Sequence, residues 1–379
     1  MKLRLLLLMV CLSVVLGAYS QELANFSRRA PVISPEIGEN AVTFRIAAPN
    51  AKLVRLYGSW MADYSSSTNM MKDSNGVWSV SIRKPDPELY TYNFIIDGFN
   101  VNDANNIFMQ RDGTRYLSVL LIPGELTENY FEAKQHGNLS KVWYDSPTIG
   151  TNRRMFVYTP YGYETSSESY PVLYLLHGGG GDEDAWSTMG RARQILDNLI
   201  EKGLAKPMIC VMPNGNPGQQ AAQTQLLEEK AFDRRDPNNA NLYVKSIVND
   251  IIPYVESHYR VIAKPEARAV SGLSMGGGHT TAVTVNYPGT FDYILPLSSG
   301  MRGEPDVIDP QLQKIKEAGY KLYWIGVGKD DALAYQSSVN LDEALTRNGM
   351  KHTLFVTEGG HTWANWRIYL NTFAPLLFK

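Results

Sequence analysis

The sequence predicts two domains of different class, a small all-β sandwich followed by a larger α/β domain with a mostly parallel sheet. Three observations support this. The chain has 379 residues, more than one domain of ordinary size needs. Apolar and polar residues alternate up to about residue 124, whereas from residue 153 apolar strands alternate with helical segments. Within this second part, one strand runs directly into the glycine-rich stretch "AVSGLSMGGGHTTAV" at 269–283.

The composition is that of an ordinary globular protein, with 44% hydrophobic and 20% charged residues. The formal net charge is −2. No basic surface is therefore expected, and the composition argues against nucleic acid or an anionic membrane as a partner.

The first 20 residues are predicted to be a secretory signal peptide. Two basic residues precede an unbroken apolar run, and Ala18 and Ser20 supply small residues for cleavage near Ser20. An uncleaved membrane anchor is the alternative, but the run is shorter than the ~20 residues that a span needs, and no later segment is suitable. We therefore expect a secreted or periplasmic protein. After cleavage Cys210 is the one remaining cysteine, so no intrachain disulfide can form.

Residues 24–124 are predicted to form the sandwich, since short β-rich segments are separated by turns rich in Pro, Asn, Asp and Gly. The segments are 41–49, 52–60, 76–85, 89–98 and 114–124. No His, Cys or carboxylate cluster occurs in them, so we interpret the sandwich as an accessory domain. Trp60 and Trp78 are expected to pack in its core rather than to bind glycan. Residues 125–150 are expected to be a connector, although their second part is open to assignment to the next domain.

Residues 151–379 are predicted to form the α/β domain, with a sheet covered by helices on both faces. The expected strands are 154–160, 170–178, 207–215, 266–274, 293–300, 321–331 and 351–361, and the clearest helices are 190–203, 241–259 and 337–349. In such a sheet, functional residues gather in the loops beyond the carboxyl ends of the strands.

Ser274 is the candidate nucleophile. It lies in a Gly-x-Ser-x-Gly match between a predicted strand and a predicted helix. A serine on such a sharp turn adopts strained backbone angles, and side chains at positions 272 and 276 would collide across the bend. The match alone is weak, because glycine and serine are common residues, so the assignment depends on the partners of the serine.

An oxyanion hole is expected beside the serine. The stretch "LLHGGGGDEDAW" at 175–186 follows an apolar strand, and its glycines allow backbone N–H groups to approach a developing oxyanion. We assign the two donors to the amides of Gly179 and Met275, with Gly178 as the alternative to Gly179. A phosphate-binding loop is disfavoured, since neither Gly-Lys-Ser/Thr nor Gly-x-Gly-x-x-Gly occurs here.

Six histidines are candidates for the general base, but His361 alone follows a strand, in the stretch "EGGHTW". Asp330 and Asp331 come just after another strand that precedes it, and either could be the acid. The order Ser, then Asp, then His is that of α/β-hydrolases. The sequence thus predicts an α/β-hydrolase catalytic domain preceded by a small all-β sandwich.

Residues 136–379 resemble carbohydrate esterase family 1, the esterase D-like group that contains feruloyl and acetylxylan esterases. The motifs that carry the resemblance are "RRMFVYTPYGY", "YPVLYLLHGGGGDEDAW", "VMPNGN", "SGLSMGGGHT", "IGVGKDD" and "EGGHTWANWR". The resemblance places the triad at Ser274, Asp331 and His361, with Asp330 as the second choice for the acid. The segment before them resembles the early-set, immunoglobulin-like domains that precede catalytic domains in many carbohydrate-active enzymes, which implies a small immunoglobulin-like sandwich.

These motifs do not specify the ester. Trp186, Asn214 and Trp363 are candidate substrate-binding residues, with packing beneath the glycine loop as the other expectation for Trp186. The long polar loop 214–239 is a candidate substrate-facing lid. We expect hydrolysis of feruloyl esters on arabinoxylan, with acetylxylan as the alternative substrate and acyl transfer or mere glycan binding as rival functions. No metal or organic cofactor is expected, because no Cys/His ligand cluster or calcium loop is evident. The oligomeric state stays open.

Overall fold

The computed structural model of the chain describes residues 32–113, 115–217 and 241–379. The expected signal peptide at 1–20 and nearly all of the candidate lid at 214–239 lie outside these described residues. Within them, no helix combines the length and the apolar character that crossing a membrane requires.

The first domain is an all-β sandwich, as predicted. A four-stranded sheet has the order β1-β2-β6-β5, and it packs on a second sheet with the order β4-β3-β7-β10-β9, in which β8 also pairs with β7. The strands are β1 (Glu36–Ile37), β2 (Ala41–Ala47), β3 (Val54–Gly58), β4 (Thr68–Asn69), β5 (Met71–Lys72), β6 (Val77–Arg83), β7 (Leu89–Ile96), β8 (Phe99–Val101), β9 (Met109–Asp112) and β10 (Arg115–Leu121).

Alternation of side chains explains the sandwich core. Along β2, Val42, Phe44 and Ile46 are buried while their neighbours face outward. The ring of Trp60 stacks on Phe44 with centroids 5.7 Å apart. Trp78 is buried, and its Nε1–H donates to the carbonyl oxygen of Ala48. Both tryptophans therefore pack in or against the core, as expected.

The second domain is built on an eight-stranded sheet with the order β11-β12-β14-β13-β15-β16-β17-β18. Its strands are β11 (Asn138–Ser146), β12 (Thr151–Thr159), β13 (Val172–Leu176), β14 (Ile209–Pro213), β15 (Arg268–Leu273), β16 (Tyr293–Leu297), β17 (Leu322–Gly328) and β18 (Thr353–Thr357). Strands β11 and β12 form an antiparallel hairpin, and from β14 onward all neighbours are parallel.

The expected connector 125–150 contains part of this sheet. Strand β11 pairs with β12 along its whole length, from Asn138 opposite Thr159 to Ser146 opposite Thr151. The expected domain boundary at residue 151 thus falls inside one hairpin. Outward-facing residues of β11 are exposed, as on an edge strand, so the segment lacks the continuous apolar character of the central strands.

Helices cover both faces of the sheet. They are α1 (Ala185–Thr188), α2 (Ala192–Glu201), α3 (Leu242–Ser246), α4 (Ile252–His258), α5 (Met275–Asn286), α6 (Pro305–Ala318), α7 (Tyr335–Arg347) and α8 (Trp363–Phe373), and a π-helical turn (Ile247–Ile251) joins α3 to α4. Two large apolar clusters, one on each face, bury every residue of β13 and β14.

This topology places the candidate functional residues at one edge. Strands β13, β15, β17 and β18 are parallel, so their carboxyl ends lie on the same side of the sheet. The glycine loop follows β13, Ser274 follows β15, Asp331 follows β17 and His361 follows β18. Residues that lie far apart in the chain thereby come together.

Candidate active site

Ser274 occupies a strained turn between β15 and α5. Its backbone angles are φ 53° and ψ −114°, a region that a residue with a side chain rarely adopts. Its amide donates to the carbonyl oxygen of Leu297 at 2.8 Å, which ties the turn to the neighbouring strand. A Cβ at Gly272 would lie 2.4 Å from the carbonyl oxygen of Gly276, so the bend needs glycine there.

His361 is held by a buried carboxylate. Its Nδ1 lies 2.8 Å from Oδ2 of Asp331, and Asp331 is 1% exposed. The other oxygen, Oδ1, accepts the amides of Leu333 and Ala334 at 3.1 and 2.9 Å. Because the carboxylate accepts a hydrogen bond from Nδ1–H, Nε2 of the neutral imidazole is left as the acceptor. The structure thus brings Asp331 to His361, whereas Asp330 is exposed.

The ring of Trp366 packs against the imidazole of His361, and Ser298 in turn holds Trp366. The rings of Trp366 and His361 are perpendicular, with centroids 5.1 Å apart. The indole Nε1–H of Trp366 donates to Oγ of Ser298 at 3.0 Å. Ser298 has φ 45°, another left-handed residue at the end of a strand. The motif "EGGHTWANWR" therefore contributes an aromatic support as well as the histidine.

Two backbone amides are available beside Ser274. In the described part of the chain, the N–H groups of Gly179 and Met275 donate to no protein acceptor. Met275 is the first residue of α5, where an amide has no partner within the helix. Gly178 and Gly179 line a pocket together with Ser274. Free backbone donors in such a position are what an oxyanion hole requires.

His177 fixes the start of the glycine loop. Its Nε2 accepts the amide of Gly215 at 2.7 Å, so Nδ1 carries the proton and donates to the carbonyl oxygen of Gly178 at 2.8 Å. Burial lowers the pKa of His177, which keeps the ring neutral. In a trans peptide the N–H points away from the C=O. Holding the carbonyl of Gly178 therefore directs the amide of Gly179 to the opposite side.

Ser274 and His361 line two cavities that differ in their other side chains. The smaller one, about 230 Å³, contains the aromatic rings of Trp363 and Trp366 beside Leu273. We call it the aromatic pocket. The larger one, about 720 Å³, combines apolar side chains with many hydroxyl, amide and guanidinium groups, among them Ser299, Arg302, Gln311 and Ser337. We call it the polar pocket. An ester whose two halves differ in polarity matches this division.

Two expected substrate contacts are corrected by the structure. Trp186 is 1% exposed, its Nε1–H donates to the carbonyl oxygen of Leu176, and its ring packs edge-on against Trp363. Asn214 is fully buried, and its side chain bonds to Glu183 and Asn216. Neither side chain lines the pockets at Ser274. Both make hydrogen bonds within the protein, next to a glycine loop that has no side chains of its own at residues 178–181. Trp363 does line the aromatic pocket, as expected.

The sequence interpretation missed a contribution from the sandwich. Asp112, at the end of β9, lines the aromatic pocket together with Ser274 and His361. Its neighbour Arg111 forms an ion pair with Asp182 of the glycine loop. The stretch "MQRDGTR" shows an Asp-Gly turn, which identifies a hairpin but not its distant partner.

No group of three or more His, Cys, Asp or Glu side chains within residues 32–113, 115–217 and 241–379 is arranged to hold a metal ion. His279, in α5, is half-buried, and its Nδ1 atom is buried without a hydrogen-bond partner among the described residues. Its ring centroid lies 4.8 Å from that of Tyr243. Desolvation of the ring lowers the pKa of His279 to about 4, so it is neutral at pH 7.

Comparison with known families divides the chain in the same way as the fold. Residues 146–376, more than half of the chain, match the family described as putative esterase. Residues 31–109 match carbohydrate-binding module 48, described as the isoamylase N-terminal domain.

Two curated relatives are xylan-degrading enzymes by name. An endo-1,4-beta-xylanase/feruloyl esterase of Xylanibacter ruminicola is 34% identical over 352 residues, which is 90% of this chain and 45% of the relative. Endo-1,4-beta-xylanase Y of Acetivibrio thermocellus is 33% identical over 175 residues, 43% of this chain and 14% of the relative. The chain spans less than half the length of either relative.

Solved structures share the fold. A feruloyl esterase module from Clostridium thermocellum, in complex with sinapinate, has a TM-score of 0.54 and 25% identity, over 66% of this chain and 91% of that one. The enterobactin esterase of Shigella flexneri has a TM-score of 0.61 and 16% identity, over 94% of this chain and 98% of that one. The second likeness concerns the fold alone and extends over both domains.

Proposed function

We propose that this chain, which belongs to the putative esterase family, is a serine carboxylic-ester hydrolase that cleaves feruloyl or related hydroxycinnamoyl esters of xylan. The observation that carries this proposal is the position of Ser274 and His361 between an aromatic and a polar pocket. The feruloyl esterase names among the relatives and solved structures support it.

The proposed reaction has two half-reactions. Nε2 of His361 takes the proton of Ser274 while the hydroxyl oxygen attacks the ester carbonyl, and Asp331 stabilises the charged imidazole. The amides of Gly179 and Met275 hold the resulting oxyanion. The imidazolium then protonates the departing sugar hydroxyl, which leaves an acyl-enzyme. Water, activated by the same histidine, hydrolyses that intermediate and restores Ser274.

The pockets suggest which half of the ester binds where. A flat phenolic ring fits against Trp363 and Trp366 in the aromatic pocket. An acetyl group would leave most of its 230 Å³ unfilled. Sugar hydroxyls suit the polar pocket, where Ser299, Arg302 and Gln311 offer hydrogen-bonding groups. We therefore place the acyl group in the aromatic pocket and the xylan chain in the polar one.

Export is part of the same proposal, because xylan is outside the cell. The apolar run near the N-terminus and the small residues Ala18 and Ser20 support cleavage near Ser20. The mass of the mature protein, recovered from outside the cytoplasm of a producing cell, tests this. A mass that still includes the first twenty residues would contradict it.

The direct test is to measure ferulate and acetate released from wheat arabinoxylan by the wild type and by Ser274→Ala. We expect ferulate release by the wild type and a loss of several orders of magnitude in the variant. Release of acetate without ferulate would instead identify an acetyl esterase. Adding an acceptor sugar separates hydrolysis from acyl transfer, because a transferase would form a new sugar ester in place of free ferulate.

A further inference from the structure

A hairpin of the sandwich reaches into the catalytic centre. Strands β9 and β10 form it, and at its end Asp112 lines the aromatic pocket beside Ser274. Gly113 follows in the turn, with φ 59°. A Cβ at Gly113 would lie 3.1 Å from the carbonyl oxygen of Gly180, so the hairpin packs directly on the glycine loop. The sandwich is thus in contact with the segment that carries an oxyanion donor.

Arg111 fastens the hairpin to that loop. Its Nη1 and Nη2 lie 2.5 and 2.7 Å from the two carboxylate oxygens of Asp182, a bidentate pair. Its Nε lies 3.2 Å from Oδ2 of Asp184. The side chains of Arg111 and Asp182 are only 8% and 5% exposed. Solvent therefore screens this contact far less than it screens a surface ion pair.

The loop needs such a contact. Four successive glycines, 178–181, give the backbone more freedom than any other residues would. Cβ atoms added at Gly179 and Gly180 would meet no described atom within 4 Å, so neither α-carbon is enclosed by its surroundings. At the start of the loop, His177 holds the carbonyl of Gly178. At its end, Nδ2 of Asn216 donates to the carbonyl oxygen of Gly181 at 2.8 Å. Arg111 holds Asp182, the next residue, which comes three residues after Gly179.

We propose that Arg111 is a positioning residue of the oxyanion hole, acting across the domain boundary through Asp182 on the amide of Gly179. This inference rests on the proposed function, since it takes Ser274 to be the nucleophile. It makes the sandwich a part of the catalytic apparatus. An oxyanion hole stabilises the transition state only where its donors are fixed in advance, and a displacement of about 1 Å costs about 100-fold in rate.

A second interdomain ion pair provides a matched control. Glu88, in the sandwich, lies 2.9 Å from Nη2 of Arg367 in α8. Like the pair of Arg111 with Asp182, it is largely buried and joins the two domains. Glu88 has no hydrogen bond to the glycine loop among the described residues. Glu88→Gln should therefore weaken domain docking and leave the oxyanion donors in place.

The test compares Arg111→Lys with Glu88→Gln in the full chain, using methyl ferulate as substrate. Lysine keeps the charge but loses the bidentate geometry. We expect kcat of Arg111→Lys to fall by about 10- to 100-fold, with KM and the Kd of free ferulate within about threefold of the wild type. Phosphonylation by a fluorophosphonate should slow in parallel, since its phosphoryl oxygen uses the same donors. Glu88→Gln should keep kcat within about threefold while its Tm falls.

A double variant, Arg111→Gln with Asp182→Asn, covers the case in which Arg111→Lys does not fold. It removes both charges of the pair, so no unpaired carboxylate is left buried at position 182. The same loss of kcat is expected. An unchanged kcat in whichever Arg111 variant folds would overturn the inference, as would an equal loss in Glu88→Gln, or a rise in KM alone. The proposed function fails separately, if Ser274→Ala keeps wild-type activity.

Discussion

Replacing Asp331 by asparagine should reverse the tautomer of His361. Oδ1 of Asp331 accepts two backbone amides, from Leu333 and Ala334, and its Oδ2 faces Nδ1 of His361. An asparagine must keep its carbonyl oxygen toward the two amides, so its NH₂ group points at Nδ1. The imidazole then accepts at Nδ1 and carries its proton on Nε2. In that form it cannot take the proton of Ser274.

The expected loss in kcat is about 10⁴-fold, the size seen when the triad carboxylate of a serine protease is made an amide. This corresponds to about 5 kcal/mol of transition-state stabilisation. KM for methyl ferulate should change little, because the side chain is buried and does not line either pocket. Initial rates at saturating methyl ferulate, together with Tm to confirm folding, measure this.

Asp330→Asn is the matched control, since Asp330 is the exposed neighbour in the same loop. It should keep wild-type kcat. A loss of less than about tenfold in Asp331→Asn, or a larger loss in Asp330→Asn, would refute the reasoning.

Three further outcomes are expected. Gly272→Ala should destabilise the fold by about 1–3 kcal/mol or more, because the new Cβ would lie 2.4 Å from the backbone oxygen of Gly276. Gly179→Ala should keep the wild-type Tm, because its Cβ would meet no described atom within 4 Å. Equal Tm values for the two variants would contradict this. Trp363→Ala should raise KM for methyl ferulate about tenfold and barely change KM for 4-nitrophenyl acetate; equal rises would remove its role in the aromatic pocket. Burial lowers the pKa of His279 from 6.5 to about 4. Its contribution to stability is therefore complete above about pH 6.5 and is lost as the pH falls toward 4. The Tm of His279→Gln should decline less steeply than that of the wild type over that interval, and identical slopes would argue against this.

Local patterns sufficed for much of the fold. Continuous apolar runs identify β13 and β14, because these strands are buried on both faces. Alternation of apolar and polar residues identifies β2, because that strand is buried on one face only. Strand β11 lies in the second part of the predicted connector, whose assignment to a domain the sequence leaves open, since an edge strand with exposed residues has neither an apolar run nor a clear alternation. Strand β11 is recognised as a strand by its pairing with β12, and the residue composition of a segment does not reveal its pairing partner.

For the candidate site, too, local patterns predict some residues and not others. Ser274 and His361 follow strands in an order that the chain itself displays, so the sequence places them correctly at one edge of the sheet. The choice of Asp331 over Asp330 depended on the resemblance, and the geometry to His361 now supports it independently. Asn214 supports the site instead of lining it, and Trp186 packs beneath the glycine loop, the second of its two expected positions. Sequence proximity to the site does not distinguish a lining residue from a supporting one. Arg111 and Asp112 could not be anticipated, since their contacts cross between domains.

Covalent labelling with a fluorophosphonate, followed by mass spectrometry of the digested protein, tests the central claim most directly. We expect one adduct on the peptide that contains Ser274, with loss of esterase activity in proportion to labelling, and no adduct in Ser274→Ala. A fully folded wild type that hydrolyses methyl ferulate but is not labelled at Ser274 would contradict the account.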